Sequence, residues 1–180
     1  MRQDKIVQFV CFETTLDNDQ FIAQWEQFTK PANITQEVTL QQSEKNGLFR
    51  YIAQYRCTVG EFGFVFSRAR RSPHTPATSI RVDQMGGYSI LQFQRTGDVK
   101  SDESKVFAFL INSEGDLNIY NKICPSAKLN IYEAYYENCH YTHILEFFVK
   151  NEFAEELVHQ LKQYDVTEIR IYKESVTEIS

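Results

Sequence analysis

The chain has 180 residues, enough for one large domain or two small ones, and 42% of them are apolar, so a substantial core can form. Aromatic residues reach 14%, with 14 Phe and 10 Tyr against 7 Gly and 4 Pro, a mix that suits strands and excludes a disordered chain. The net charge of -5 is not clustered, which argues against nucleic acid or an anionic membrane surface as a partner.

The first element in chain order is "KIVQFVCFE", residues 5–13, β-branched and aromatic and therefore a strand. "LDNDQFIAQWEQFTKP" follows as a helix. Asp17 is its expected N-cap, with Gln20 reaching back as in a capping box and Leu16 stapled to Phe21. Phe21, Ile22, Trp25 and Phe28 share one helical face, with Trp25 expected in the core, and Pro31 ends the helix. Asn46-Gly47 between residues 34–42 and 48–58 predicts a hairpin, because both turn residues tolerate positive φ. Residues 60–71 fit a helix or a strand, and their likeness to the later strand–helix unit favours helix. "TSIRVDQMGGYSILQFQR" predicts a strand, a break or bulge at Gly86-Gly87, and more strand.

The polar stretch 96–105 reads as a linker between a first half, 1–95, and a second, 106–180. After it come a strand at "VFAFLIN", a short helix around 116–123, and a second hairpin from "LNIYEAYYENC" and "HYTHILEFFV". "NEFAEELVHQLKQY" is a helix expected to be capped by Asn151, with Phe153, Leu157, Leu161 and Tyr164 on its buried face. "TEIRIYKESV" closes the chain as a strand. Each half therefore orders its elements β-α-β-β-α-β, which suggests an internal duplication.

Several strands are apolar on both faces. Leu145, Phe147 and Val149 oppose Ile144 and Phe148, and Ile6, Val10 and Phe12 oppose Val7, Phe9 and Cys11. Fully burying one such side chain stabilises by about 1.5–3 kcal/mol, so the second face must be covered. Helices cover one face of a β-α-β-β-α-β sheet, and a sister sheet is the natural cover for the other. The expected fold class is α+β: two ferredoxin-like repeats whose antiparallel sheets pack into an intramolecular α+β barrel. In order, size and two-sided strands the chain resembles the dimeric α+β barrel superfamily, with two ferredoxin-like units fused in one chain. That resemblance implies a small apolar or aromatic ligand held in the barrel, and cofactor-free monooxygenase or haem-degrading chemistry in some members.

Candidate chemistry is sparse. His140 and His143 are three apart, so on a strand they point to opposite faces and do not share a metal; no metal site is expected. His143 is a candidate general base if it faces a cavity. Tyr51, Tyr55, Arg68, Tyr88 and Tyr135 are the candidate ligand-binding residues. Arg68, Arg70, Arg71 and His74 form the one basic cluster, either an anion site or a solvated helix end. The residues call for no cofactor and leave haem or flavin open. Cys11, Cys57, Cys124 and Cys139 form no C-x-x-C pair, and Cys11 and Cys57 sit in apolar runs as small hydrophobes. With neither a secretory leader nor about 18 consecutive apolar residues, the setting is expected to be cytoplasmic, without membrane or nucleic acid, and the chain a monomer or homodimer. Two functions stand open: a small-molecule-binding barrel with or without catalysis, and a noncatalytic interaction or structural module with a filled barrel.

Overall fold

The protein, seen in a computed structural model, is described over residues 5–29, 35–45, 48–60, 80–95, 97, 99–111 and 115–175, and side chains are described outside 25–45 and 174–175. The strands are β1 (Lys5–Thr14), β2 (Thr35–Lys45), β3 (Leu48–Thr58), β4 (Ile80–Gln92), β5 (Glu103–Leu110), β6 (Lys128–Ala134), β7 (His143–Lys150), β8 (Glu168–Tyr172) and β9 (Glu174–Ser175). The helices are α1 (Asn18–Thr29), α2 (Tyr120–Ile123, entered through a 3-10 turn) and α3 (Asn151–Leu161). Residues 61–79, with Arg68, Arg70, Arg71 and His74, lie outside the described residues, as do the Asn46-Gly47 turn and the side chains of Trp25 and Phe28.

The described strands join one antiparallel sheet in the order β8-β5-β7-β6-β4-β1-β3-β2-β9. The lateral order in the first half is β4-β1-β3-β2 and in the second β8-β5-β7-β6, the same arrangement of fourth, first, third and second strands. β4 pairs with β6 to join the halves. At the far ends β8 pairs with β5 and β9 with β2, and only Lys173 separates β8 from β9. One short segment thus ties the two ends of the sheet together, and the sheet curls around an inner face.

Local signals explain most element boundaries. The Gln20 N–H donates to Asp17 Oδ1 at 2.9 Å and the Asp17 N–H to Gln20 Oε1 at 3.4 Å, so the capping box forms. Leu16 and Phe21 pack in one cluster, as a staple requires. β2 and β3 pair from Lys45↔Leu48 onward, as the Asn-Gly signal predicts. Asp116 caps the 3-10 turn by accepting from the Asn118 N–H at 2.9 Å.

Helix α3 departs from expectation. Asn151 is its first helical residue, while the N-cap is Lys150, which makes no side-chain cap bond. Asn151 instead accepts from the Ser104 hydroxyl at 2.5 Å, tying α3 to β5. Its buried face is Ala154, Leu157 and Leu161; Phe153 and Tyr164 stay exposed, because the packed stripe lies one position further round. The polar stretch expected as a linker ends sooner, since β5 begins at Glu103 and buries Glu103, Ser104 and Lys105.

β4 also differs. It runs unbroken through Gly86-Gly87, and the register shift falls where Cys11 pairs with Gln84 and Phe12 with Val82. Asp83 is the extra residue, and the bulge re-aims its side chain toward β8. Gly86 serves close approach: a Cβ there would lie 2.9 Å from Tyr88 Cε2 and 3.0 Å from Cys139 Sγ. The Tyr88 hydroxyl donates to the Tyr141 carbonyl at 3.1 Å, so the ring cannot swing away freely. Gly86→Ala is expected to destabilise by about 1–3 kcal/mol. Gly60→Ala, where a Cβ meets nothing within 4 Å, is the control in a thermal melt.

Three apolar clusters follow from the two-sided strands. Val106, Ala108, Leu110, Leu145, Phe147 and Val149 pack under Leu157 and Leu161 of α3. Val10, Tyr51, Ala53 and Tyr55 pack under Phe21 of α1, with Phe12 alongside. Val7, Phe9, Cys11, Ile52, Phe107, Phe109, Tyr132, Ile144 and Tyr172 fill the inner face. The opposition of Val7, Phe9 and Cys11 to Val10 and Phe12 is thus realised as interior against helix side.

Candidate functional site

The inner face carries charged groups as well as apolar ones. Phe9 is central, with ring contacts to Tyr88 (5.5 Å between centroids), Phe107 (6.3 Å) and Tyr132 (4.9 Å). Along β5, Lys105 belongs to one polar cluster and Phe109 touches a second, with Phe107 between them.

The first cluster surrounds Glu146. The carboxylate pairs with Lys105 Nζ at 3.1 Å and accepts from the Tyr132 hydroxyl at 2.6 Å, from Asn130 Nδ2 at 3.0 Å and from Gln54 Nε2 at 3.2 Å. Lys105 also donates to Gln54 Oε1 at 3.4 Å and lies 4.8 Å from the centre of the Phe148 ring. Every member is buried. Burial pushes the Glu146 carboxyl up, but Lys105 and the bonds from Tyr132 and Asn130 overcome it, and the group is held below the usual carboxylate range. Burial and the adjacent carboxylate push the Tyr132 phenol well up. Asn130 also bridges to β4's continuation, accepting from the N–H groups of Gln94 at 2.8 Å and Arg95 at 3.1 Å.

The second cluster surrounds Arg170. Its Nε donates to Glu168 at 2.6 Å and its Nη2 to Asp83 at 2.6 Å. Tyr141 donates to Glu168 at 2.6 Å, and Glu13 binds both Arg50 at 3.0 Å and Arg81 at 2.6 Å. Cys11 lies on the same inner surface, and burial pushes its thiol up to about 12, which keeps it protonated at neutral pH.

Beside this cluster Phe9, Cys11, Gly86, Tyr88, Phe109 and Tyr141 line a recess of about 10 Å³, room for about one water. Among the described residues no group of three or more His, Cys, Asp or Glu is placed to hold a metal.

The sequence candidates do not converge. His143 has the parity of Leu145, Phe147 and Val149, so it lies on the helix side, away from Ile144 and Glu146, and does not face the interior. Its Nδ1 is 3.1 Å from the Thr142 hydroxyl and its Nε2 3.7 Å from Glu133; burial outweighs that carboxylate and lowers its pKa. His140 is exposed and meets the Tyr141 ring edge-on at 4.6 Å. Tyr51 and Tyr55 are also on the helix side, where Tyr51 stacks on Phe21 at 3.7 Å and donates to Leu16 O at 3.2 Å. Tyr135 is exposed beside Tyr136. Tyr88 alone of the described set lies in the interior. Sequence reasoning missed Lys105, Glu146 and Arg170. The signal was a lone charge inside a run apolar on both faces, as in "ILEFF" and "EIRIY".

A third ion pair sits at the rim. Arg95 holds Glu103 through two contacts of 2.9 and 2.8 Å, and this arginine bond, with help from the Lys100 N–H, brings the Glu103 carboxyl down to about 2 from 4.5. A lowered folded-state value means that the contribution is complete above 4.5 and is lost as pH falls toward 2. Urea midpoints of wild type and Glu103→Gln are therefore expected to approach each other over that window, and a gap independent of pH would contradict the assignment.

No family model matches the sequence, and no curated protein matches it. Among solved structures the fold is similar to chlorite dismutase from Candidatus Nitrospira defluvii. A mutant in complex with cyanide aligns at TM-score 0.63 and 10% identity, over 98% of this chain and 92% of that one. A second mutant aligns at 0.62 and 11%, and the complex with imidazole at 0.62 and 10%, both over 98% and 92%. At such identity the likeness is one of fold alone: the chain is an α+β protein whose fold is similar to these ferredoxin-like proteins.

Proposed function

We propose that this chain is a noncatalytic interaction or structural module, built as two fused ferredoxin-like repeats whose shared interior is filled with its own side chains. The observation that carries this is the inner face itself. Seven aromatic rings and two ion clusters occupy it, and the described recess has room for about one water. A ligand pocket for a drug-sized molecule needs about 300–1,000 Å³. The repeat assignment rests on the recurring strand order within each half.

A filled barrel leaves the exterior for binding. Exposed apolar side chains gather on β4 and just beyond it, at Val82, Met85, Ile90, Leu91 and Phe93. The likeness to chlorite dismutase is compatible with the competing reading, a small-molecule enzyme on the same fold.

A thermal-shift screen with haem, flavins, aromatic acids and phenols separates the two. A true ligand raises Tm in proportion to its occupancy. No dose-dependent rise is expected from any of them, and a saturable rise with one would replace this reading by the ligand-binding one.

A further inference from the structure

The barrel is closed unevenly. β1 and β3 pair from Lys5↔Thr58 to Thr14↔Phe49, and β5 and β7 from Glu103↔Lys150 to Leu110↔His143. The two ends of the sheet meet through β9 and β2, at Thr39↔Ser175 and Leu40↔Glu174. Carried on in that register, Gln41, Gln42 and Ser43 would face Lys173, Tyr172 and Ile171. The ladder stops short of them, and among the described residues β8 pairs with β5 alone. A second irregularity falls on the same stretch. The β2–β3 register breaks between Gln41 and Lys45, so residues 42–44 of β2 ladder with neither neighbour among the described residues.

Side chains add little across this seam. Arg50 on β3 reaches Glu168 on β8 at 3.7 Å, with the two side chains 34% and 28% exposed. So long and so solvated an ion pair contributes little. Further along β3, Gln54 meets Glu146 and Lys105 at 3.2 and 3.4 Å. The short bonds of β8 run elsewhere, from Arg170 to Asp83 on β4 and from Tyr141 to Glu168, both at 2.6 Å. They hold β8 across the lumen and leave its edge toward β2 untied. The seam lies beside Cys11, since pairing sets Cys11, Ile52, Thr39 and Ser175 in one row of the sheet. Cys11 is 1% exposed and shares the inner cluster with Ile52 and Tyr172. Cys57, also buried, points to the opposite face of the sheet.

We propose that the barrel opens locally at the seam between β2 and β8, without global unfolding, and that this opening admits small solutes to the interior around Cys11. The seam governs access to the interior, whatever the exterior binds, so a seam that stays shut leaves the filled-barrel reading standing.

Thiol labelling of the full chain with methyl methanethiosulfonate, resolved by site in a mass spectrometer over a urea series, tests it. Local opening exposes Cys11 and leaves Cys57 covered, whereas global unfolding exposes both. Without urea Cys11 is expected to react at least about tenfold faster than Cys57, and the two rates should merge near the unfolding midpoint. Thr39→Cys combined with Ser175→Cys, a pair of ladder partners, staples the seam when oxidised. In the oxidised variant Cys11 should slow to within about twofold of Cys57, and reduction should restore the difference. Equal wild-type rates for Cys11 and Cys57 at every urea concentration would overturn the proposal, because only global unfolding would then reach the interior. A Cys11 rate that the closed staple leaves unchanged would overturn it too, by placing the opening elsewhere. The wild-type comparison decides by itself where the staple does not close.

Discussion

Lys105→Met is expected to cost about 3–5 kcal/mol of folding stability, because it leaves the buried Glu146 carboxylate without its cation. The variant keeps the shape of the side chain, so packing loss is small and the effect is electrostatic. Tyr132, Asn130 and Gln54 still donate to the carboxylate, which spares part of the penalty. A pH series identifies the cause. In wild type Glu146 is held below the usual range, so its contribution is complete at neutral pH and is lost on acidification. Without Lys105, burial pushes the carboxyl up instead, and the variant relieves its strain by taking a proton. The gap between wild type and variant in urea melts should therefore be widest at neutral pH and narrow as pH falls. A gap that does not change with pH would mean that packing, not charge, is at stake.

Phe9→Ala is expected to be comparably severe, at about 3–5 kcal/mol. Phe9 touches rings from β4, β5 and β6, so its removal opens a cavity where both halves meet, and three different strands would have to move to close it. Phe153→Ala on α3 provides the control, since that ring is 44% exposed and belongs to none of the apolar clusters. Denaturant melts of the two variants should differ by more than 2 kcal/mol, on the order expected for a buried against an exposed phenylalanine. Equal losses would contradict the placement of Phe9 at the centre.

How much of this was legible beforehand depends on the length scale of each signal. Capping by Asp17 and Gln20, the Asn-Gly hairpin and the period-2 faces of β1 and β7 are settled within a few residues, and they stand as expected. The helix face of α3 was displaced because Phe153 and Ala154 both fit the periodicity, and only the packing of the helix on the sheet buries Ala154 rather than Phe153. The candidate site was the least legible part. Tyr51, Tyr55 and His143 have the polar tips that a cavity would need, yet which face of a strand is interior depends on where the helices land. Once α1 and α3 pack, those three lie under or beside helices. Gly86-Gly87 had the composition of a bulge, but the extra residue is Asp83, which the bulge turns toward Arg170.

The sequence by itself determined that strands with two apolar faces had to be covered twice, because leaving either face in water would forfeit too much hydrophobic free energy for the chain to fold. It also determined the order of the strands in each half. The tertiary structure alone decided what fills the space between the faces. Gln54 and Glu146 lie 92 positions apart, Arg170 and Asp83 lie 87 apart, and each pair meets only when the ends of the sheet are brought together through β8 and β9. No local pattern encodes such a meeting, since a lone charge in an apolar strand states that it needs a partner without stating which.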